Sequence, residues 1–443
     1  MTGNEVYLRI EELFKEINSK WIKVAARQIG NVSSWTRQRK MPLCDMLICT
    51  LSKKGLSTTM ELRQYFQAAD KTEKIVSKQD YLKQRQKLNP EVFRLLNQNY
   101  LKRFYEGSEV KEWEGYLIMA IDGTKAEIPN SEENRRVYGK SANGYGDAVA
   151  RASLSTLYDI NNRFILDIGI HHYCYSEIDA AKAHIDSFKE IVGDRPALII
   201  FDRGYVSLEL MEFLEKRGIK YLIRLSEKDY KAELSTIKET DEEVELFYTK
   251  SRLRSINLKS PERAKELETQ ESILVRIVKT RLENGDEISF VTNLRDGTSD
   301  DIDRLYLKRW FIEQKYNTLK NKLKFESVTG KASIYVAQDF WAQTLVFNMV
   351  QDLITGAEYR AVKKAKEKQL KYKVRINENI AIGLFKEQFI RLMLEKDDYR
   401  KAEMFRNLTA DMERNILPIR KLKSAPRKWK YYNKYDCNLK PAF

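Results

Sequence analysis

Two continuous apolar runs, each closed by an aspartate, constrain the fold of this chain more than any other feature. Residues 116–121 precede Asp122, and residues 196–201 precede Asp202. Short uninterrupted apolar runs are typical of strands buried on both faces of a sheet. Gly123 and Gly204 follow the two aspartates closely and allow a tight exit and close approach of a ligand. We therefore expect two carboxylates at strand ends, although either aspartate alone is more often a turn or cap residue.

A third carboxylate, Glu313, lies in a segment that predicts one helix from a cap signal at residues 298–301 to about Phe325. At about 100° per residue, Arg309, Glu313 and Lys320 lie at about 300°, 340° and 320° from Tyr306. One acid among three phosphate-compatible groups suits a metal-assisted phosphodiester site. A solvated face with i, i+4 ion pairs is the common alternative for such a stripe. The two strand-end aspartates favour the site.

The region around the acids predicts an α/β core. Its elements follow the order β-β-β-α-β-α, then an insertion, then the Glu313 helix, which is the order of a ribonuclease-H-like fold. The elements after the first apolar run are a hairpin of residues 154–160 and 164–171, helices at 176–192 and 208–216, and strands at 196–201 and 221–225.

The insertion, about residues 226–298, is predicted to be rich in β-structure. Its clearest element is a hairpin of residues 272–282 and 287–294 around an Asn284-Gly285 turn. The charged middle of the insertion, residues 250–268, is expected to be a loop.

Residues 1–107 predict a helical, basic domain. Ser77 is a cap signal for a helix rich in Lys, Gln and Arg, and Pro90 opens the next helix. Such a pair can dock on DNA as a helix-turn-helix does, with Lys83, Arg85 and Lys87 as candidate contacts. An ordinary helical bundle with lysines outside is an equal alternative.

Residues 351–443 predict a helical, very basic C-terminal region. Lysines and arginines cluster at residues 363–375 and again at 420–434, where Trp429, Tyr431 and Tyr432 are interleaved. Aromatic side chains interleaved with basic ones are suited to binding nucleic acid. It also suits a solvated tail, which is the commoner meaning of lysine runs.

Composition points to a polyanionic partner and against two other classes. The chain has 443 residues and a formal net charge of +15. Its four cysteines form neither a disulfide framework nor paired zinc-ligand spacings, which favours a reduced cytosol. The most apolar helix, residues 340–354, is too short and polar to span a bilayer, and we expect it in the core.

The residues around the three acids resemble the DDE transposases of bacterial insertion sequences. The resemblance rests on Asp122-Gly123-Thr124, on Asp202-Arg203-Gly204-Tyr205, and on the Tyr-x2-Arg-x3-Glu-x6-Lys signature of one IS-four-like subgroup. It runs from about Tyr116 to Val350. All four signature positions fit without a gap, at Tyr306, Arg309, Glu313 and Lys320.

The chemistry of the acids predicts two Mg²⁺ ions held by Asp122, Asp202 and Glu313, with Mn²⁺ as a substitute. Arg309 and Lys320 are then expected to hold DNA phosphates and Tyr306 to hydrogen-bond one. The resemblance further implies cutting at element ends, a hairpin intermediate and strand transfer by the freed 3′-hydroxyl. It also implies Trp310 against a DNA base, with a core position as an equal alternative.

The sequence therefore predicts three consecutive segments, 1–107, 108–350 and 351–443, that act on double-stranded DNA. The resemblance implies a bacterial, cytoplasmic, nucleoid-associated protein that acts on terminal inverted repeats and target DNA as a homodimer in a synaptic complex. Two alternatives stay open: a ribonuclease-H-like nuclease that cuts without joining, and an inactive transposase-derived DNA-binding protein.

Overall fold

A computed structural model describes residues 3–37, 39–107, 110–142, 148–281 and 287–420. Contacts divide the chain into two units. The helical unit contains residues 1–109, 126–151 and 317–443, and the sheet unit contains residues 110–125 and 152–316. The N-terminal and C-terminal helices thus share one unit, unlike the three consecutive segments expected from the sequence. The functional division into those three segments stays a prediction.

Within the described residues, the predicted strands occur in their predicted order, together with four strands that were not predicted, at residues 140–142, 241–247, 374–376 and 416–418. In chain order, these strands are β1 (Leu117–Glu127), β2 (Lys140–Ala142), β3 (Ala148–Asp159), β4 (Phe164–His172), β5 (Ala197–Phe201), β6 (Lys220–Leu225), β7 (Asp241–Phe247), β8 (Ser272–Arg281), β9 (Glu287–Thr292), β10 (Val374–Ile376) and β11 (Ile416–Pro418).

The sheet unit is built on the order β4-β3-β1-β5-β6, continued by β9-β8-β7. Strands β3 and β4 form an antiparallel hairpin, whereas β1, β5 and β6 run parallel. An antiparallel hairpin beside three parallel strands is the ribonuclease-H-like arrangement, so the predicted fold class is confirmed. Residues 197–201 are all buried, as a continuous apolar run requires of a central parallel strand.

The insertion extends the same sheet through antiparallel pairing of β9 with β6. Arg276 on β8 pairs with Asp241 on β7 at 2.6 Å and donates to the Gly297 carbonyl at 2.9 Å, which ties the insertion to the segment before Glu313. The expected loop at 250–268 is wrong, because two helices occupy it. Leu253, Ile256, Ala264 and Leu267 give those helices a buried face within the charged sequence. The Asn284-Gly285 turn lies outside the described residues.

The helices of the described residues cover the sheet or build the helical unit. They are α1 (Gly3–Ile17), α2 (Lys20–Ala25), α3 (Leu43–Leu51), α4 (Thr58–Ala68), α5 (Lys78–Arg85), α6 (Glu91–Tyr105), α7 (Glu132–Val137), α8 (Glu177–Ser187), α9 (Lys189–Val192), α10 (Leu208–Glu215), α11 (Lys231–Thr236), α12 (Lys250–Lys259), α13 (Pro261–Thr269), α14 (Ser299–Leu307), α15 (Trp310–Asn317), α16 (Ser333–Glu367), α17 (Glu378–Leu394) and α18 (Asp398–Arg414).

Helix α16 is the centre of the helical unit and packs against α1, α3, α6 and α18. It contains the predicted core helix and buries most of its first 25 residues. Two of its buried acids are neutralised by ion pairs, Asp352 with Arg9 at 2.7 Å and Asp339 with Arg85. No helix in the described part of the chain has the length and apolar character needed to cross a bilayer.

Candidate active site

Asp122 lies on β1, two residues beyond the part of this strand that pairs with β5. That pairing runs from Leu117 to Ala120. The strand does not end at the aspartate, as the sequence suggested, but continues to Glu127. Gly123 donates its backbone N–H to Asp122 Oδ1 at 2.9 Å.

Asp202 directly follows β5, as predicted, and precedes a single 3₁₀ turn of residues Arg203–Tyr205. Because β1 and β5 are parallel neighbours, both aspartates lie toward the carboxyl edge of the sheet, where open α/β sheets place their ligands. The Tyr306 hydroxyl donates to Asp202 Oδ1 at 3.1 Å.

The helix predicted to carry Glu313 is not continuous. Helix α14 begins at the predicted cap, with a reciprocal capping box between Thr298 and Asp301, and ends at Leu307. The backbone N–H groups of Lys308, Arg309, Phe311 and Ile312 then donate to carbonyls three residues earlier, which tightens the chain into a 3₁₀-like turn. Helix α15 follows, and residues Thr318–Lys322 form a π-helix.

Arg309 lies among the acids and is only 6% exposed. Its Nη2 donates to Glu313 Oε1 at 2.9 Å, and its Nη1 lies 3.9 Å from Asp122 Oδ2. Burial opposes its charge, but the Tyr306 phenol and then the charges of Asp202, Glu313 and Asp122 raise its pKa above the usual value. The Arg309 guanidinium therefore interacts electrostatically with all three acids.

The negative charge of Asp122 remains poorly compensated despite Arg309. Burial raises the pKa of Asp122 to about 6, and the charges of Glu313 and Asp202 raise it further. The Gly123 N–H and the charge of Arg309 lower it, but by less. Three carboxylates share one cation here, so the site favours additional positive charge.

The donor chemistry fits a hard divalent cation. Carboxylate oxygens are the ligands that Mg²⁺ prefers. Among the described residues, no three His, Cys, Asp or Glu side chains converge as a finished ligand set. The nearby Tyr205 hydroxyl is buried without a hydrogen-bond partner in the described structure. Arg309 lies against two of the three candidate ligands, Asp122 and Glu313, and metal binding by these two and Asp202 stays a prediction.

Three further residues border the acids and were not predicted as part of the site. The Tyr316 hydroxyl donates to the Asp122 carbonyl oxygen at 2.6 Å. Burial, and then the charges of Tyr316, Glu177, Asp122 and Asp202, raise the pKa of Tyr205 well above its usual value. The Glu177 carboxylate lies beside Gly123. Tyr205 belongs to the motif around Asp202, but the positions of Glu177 and Tyr316 depend on folding and had no sequence signal.

A cavity of about 620 Å³ opens beside the Asp202 turn. Arg203, Arg224 and Lys228 line it, and a hydrogen bond links Arg224 to Tyr306. Three acids, Glu227, Asp229 and Glu287, line it as well, so the cavity carries charges of both signs.

Comparison with known proteins agrees with this geometry. The family model of the transposase DDE domain matches residues 113–349, more than half of the chain. The chain belongs to the DDE transposase family. This transposase is accordingly a DNA-acting enzyme, a metal-dependent nuclease and strand transferase.

Two individual proteins are similar to this transposase along most of its length. The transposase InsG of insertion sequence element IS4 from Escherichia coli (strain K12) is 21% identical over 412 residues, covering 89% of this chain and 88% of InsG. A cryo-EM structure of the piggyBac transposase synaptic complex with hairpin DNA covers 89% of this chain and 84% of its own, with 9% identity and a TM-score of 0.42.

The signature residue Lys320 and the candidate DNA contact Trp310 take part in none of the hydrogen bonds and ion pairs described above. Lys320 belongs to the helical unit, on the π-helix, where its Nζ lies 3.6 Å from Glu326 Oε1. Trp310 is 46% exposed and is therefore not a core residue. Their contacts with DNA stay predictions.

The predicted DNA-binding set on α5 requires a correction. Ser77 caps the helix as expected. Arg85, however, is 0% exposed, and its guanidinium pairs with Asp339 in the core of the helical unit. It stabilises the fold and is not available to DNA. Lys83 is exposed and Lys87 is half-buried, so only these two remain candidates.

Proposed function

We propose that this transposase excises and inserts a mobile DNA element by Mg²⁺-dependent cleavage and joining at its terminal inverted repeats. One observation supports this most strongly. Arg309 lies against Glu313 and Asp122, while Tyr306 donates to Asp202. Three candidate metal ligands and two phosphate-compatible groups are therefore neighbours within the sheet unit.

In this proposal Asp122, Asp202 and Glu313 hold two Mg²⁺ ions, and Mn²⁺ substitutes for them. When bound, such a pair activates an attacking water or 3′-hydroxyl and stabilises the leaving oxygen. The carboxylates position the reaction at the carboxyl edge of β1 and β5. Burial around Asp122 strengthens each electrostatic contact there.

Arg309 has a second role when DNA is present. The Arg309 guanidinium lies between the Asp122 and Glu313 carboxylates. It shields them from bulk water, and its positive charge reduces the repulsion between them. When cations satisfy the acids, the planar fork of Arg309 is free to bind a phosphate through two hydrogen bonds. Tyr306 hydrogen-bonds a phosphate, and Lys320 binds DNA phosphate as a point charge.

Other parts of the chain hold DNA outside the reaction centre. Trp310 offers an exposed indole for stacking on a base, with exposed Leu307 and Phe311 beside it in sequence. Lys83 and Lys87 contact the phosphates of the element end. We further propose that two copies assemble on paired ends, that cleavage proceeds through a hairpin intermediate in a cut-and-paste reaction, and that the enzyme acts on nucleoid DNA in the bacterial cytoplasm.

A joining assay tests the proposal against cleavage alone. The substrate is a pre-cut duplex carrying the inverted repeat that flanks the coding sequence, with a free 3′-hydroxyl, mixed with supercoiled target plasmid and Mg²⁺. We expect covalent end–plasmid products with the wild type and none with Asp122→Asn. Plasmid nicking without joined ends would identify a nuclease instead, and end binding without either product would identify a DNA-binding protein.

A further inference from the structure

The Glu177 carboxylate lies near two glycines, Gly123 and Gly204, that closely follow Asp122 and Asp202. A methyl group placed on Gly123 would lie 2.9 Å from Glu177 Oε1, and one placed on Gly204 would lie 3.9 Å from Glu177 Oε2. Each carboxylate oxygen therefore faces the glycine that follows one of the two aspartates. Glycine at position 123 is required for this approach, since any side chain there displaces the carboxylate.

The helix that begins with Glu177 is fixed in place. The Ser176 hydroxyl accepts the Asp179 N–H and caps α8. Further along the helix, the buried His184 ring bonds through Nδ1 to Asp167 at 2.8 Å and through Nε2 to Ser155 at 3.1 Å. These strand residues anchor α8 on the sheet, so the position of Glu177 is set by the fold.

A favourable interaction with the helix dipole, the usual reason for an acid in the first helical turn, does not explain where the Glu177 carboxylate lies. Glu177 and Asp179 both favour the positive end of the α8 dipole. Asp179 has an ordinary surface partner, because Lys259 Nζ lies 3.3 Å from it. Glu177 has no hydrogen bond or ion pair within the described residues, and its carboxylate lies near the glycines that closely follow the two aspartates.

The Tyr205 hydroxyl is a buried hydrogen-bond donor that lies near the same acids. The Tyr205 side chain is 1% exposed, and its hydroxyl has no hydrogen-bond partner in the described part of the structure. The charges of Glu177, Asp122 and Asp202 all act on this phenol. A buried hydroxyl is normally satisfied by protein or ordered water, so this group requires a ligand oxygen or a bound water.

We propose that Glu177 is a fourth acidic ligand of the divalent-cation site, on the side of Asp122 and Asp202, and that the Tyr205 hydroxyl orients a water or phosphate oxygen there. The inference rests on the proposed metal-dependent function. It assigns one ion to Asp122, Asp202 and Glu177.

Metal binding by the full-length protein without DNA tests this assignment. The free Mn²⁺ concentration is followed by electron paramagnetic resonance during titration of the wild type, Glu177→Gln, Asp122→Asn and the control Asp179→Asn. Asp179 shares the helix turn and loses the same charge. We expect Glu177→Gln to weaken the tighter Mn²⁺ site about tenfold or more, and Asp179→Asn to leave it unchanged. Tyr205→Phe should weaken it less, because the ring still packs.

A second readout separates ligation from a structural effect. In single-turnover cleavage, the half-saturating Mg²⁺ concentration should rise about tenfold or more for Glu177→Gln, with rate recovering at high Mg²⁺. Mn²⁺ binding and Mg²⁺ dependence equal to wild type in Glu177→Gln, alongside loss in Asp122→Asn, would overturn this inference alone. A wild type that binds no Mn²⁺ would overturn it together with the proposed metal chemistry.

Discussion

Arg309 shows how much a single side chain organises in this enzyme. It is buried among acids, where its partners Glu313 and Asp122 come from different elements. Its neighbour Lys308 points elsewhere, toward Asn161 in the β3–β4 turn, with its Nζ 3.4 Å from Oδ1. Adjacent cations thus have separate surroundings, as the 100° step between neighbours on a helix also predicts.

This difference yields the first prediction. Arg309→Lys should cut at least about tenfold more slowly than wild type on pre-bound ends, because an ammonium cannot reproduce the two-bond contact with carboxylate or phosphate. Lys308→Ala should cut at nearly the wild-type rate. Single-turnover cleavage measures both. An equal loss of cleavage rate in Arg309→Ala and Lys308→Ala would refute the role given to Arg309.

The raised pKa of Asp122 predicts a conflict between activity and stability. Its folded-state pKa of about 6 exceeds the ordinary 3.8, so folding disfavours the ionised form. The resulting destabilisation is full above about pH 6 and declines as the pH falls toward about 4. Asp122→Asn should therefore stabilise the metal-free protein at pH 7, on the order of 1–3 kcal/mol, and stabilise it less at pH 5.

Urea denaturation with a chelator present measures this effect at both pH values. Asp300→Asn, an exposed acid at the start of α14, serves as the control and should change little. A destabilised Asp122→Asn protein at pH 7 would show that Arg309 compensates the carboxylate fully.

At this scale the apolar runs before Asp122 and Asp202 and the signature spacing around Glu313 marked the three acids in the sequence. It could not locate Glu177, since nothing in a first-turn glutamate reveals that two glycines leave room for its carboxylate. Arg85 was misassigned for a related reason. A basic helix pattern shows charge but not burial, and the partner Asp339 is 254 residues away.

The elements were predictable where local pattern and tertiary packing agree. The capping boxes, the apolar strands and the core helix α16 are such cases. The break between α14 and α15 is not, because no proline or glycine occurs between residues 298 and 325. The tight turn there accompanies the contacts of Tyr306, Lys308 and Arg309 with residues distant in sequence. The helices at 250–268 were missed because their apolar faces are narrow.

Helix α5 carries two cations with different expected roles: Arg85 stabilises the fold, and Lys83 is a candidate DNA contact. Arg85→Ala leaves the buried Asp339 with Lys53 as its remaining cation, and we expect it to lower the free energy of unfolding by about 3–5 kcal/mol. Lys83→Ala should change stability by less than about 0.5 kcal/mol, because that side chain is exposed. Urea denaturation of both variants checks the pair. Similar stabilities would place Arg85 outside the core.

At the scale of the whole molecule, charge sets the mode of association with DNA. The net charge of +15 is concentrated in the helical unit, because the sheet unit contains 28 Lys and Arg against 34 Asp and Glu, and the positive excess of the helical unit suits a long polyanion. The fold class followed from the order of the apolar runs along the chain. The grouping of N-terminal and C-terminal helices in one unit did not, since it depends on ion pairs such as Arg9–Asp352 across 343 residues.

We expect DNA affinity to depend steeply on salt. Four phosphate contacts imply roughly a hundredfold loss of affinity between about 50 and 200 mM monovalent salt. Fluorescence anisotropy with a labelled end duplex measures the slope, and Lys83→Ala should lower it by roughly one. A salt-independent affinity would contradict an electrostatic DNA interface. An unchanged slope in Lys83→Ala would place end recognition away from α5.

The central claim is that Asp122, Asp202 and Glu313 form one metal-dependent active site. Single-turnover cleavage of pre-bound end DNA in Mg²⁺ tests it most directly, using Asp122→Asn, Asp202→Asn, Glu313→Gln and the control Asp300→Asn. Each of the first three should lose at least about a thousandfold in rate while still binding ends, because metal stabilisation of the transition state contributes several kcal/mol. The control should cut like wild type. Cleavage near the wild-type rate by any of those three variants would contradict the account.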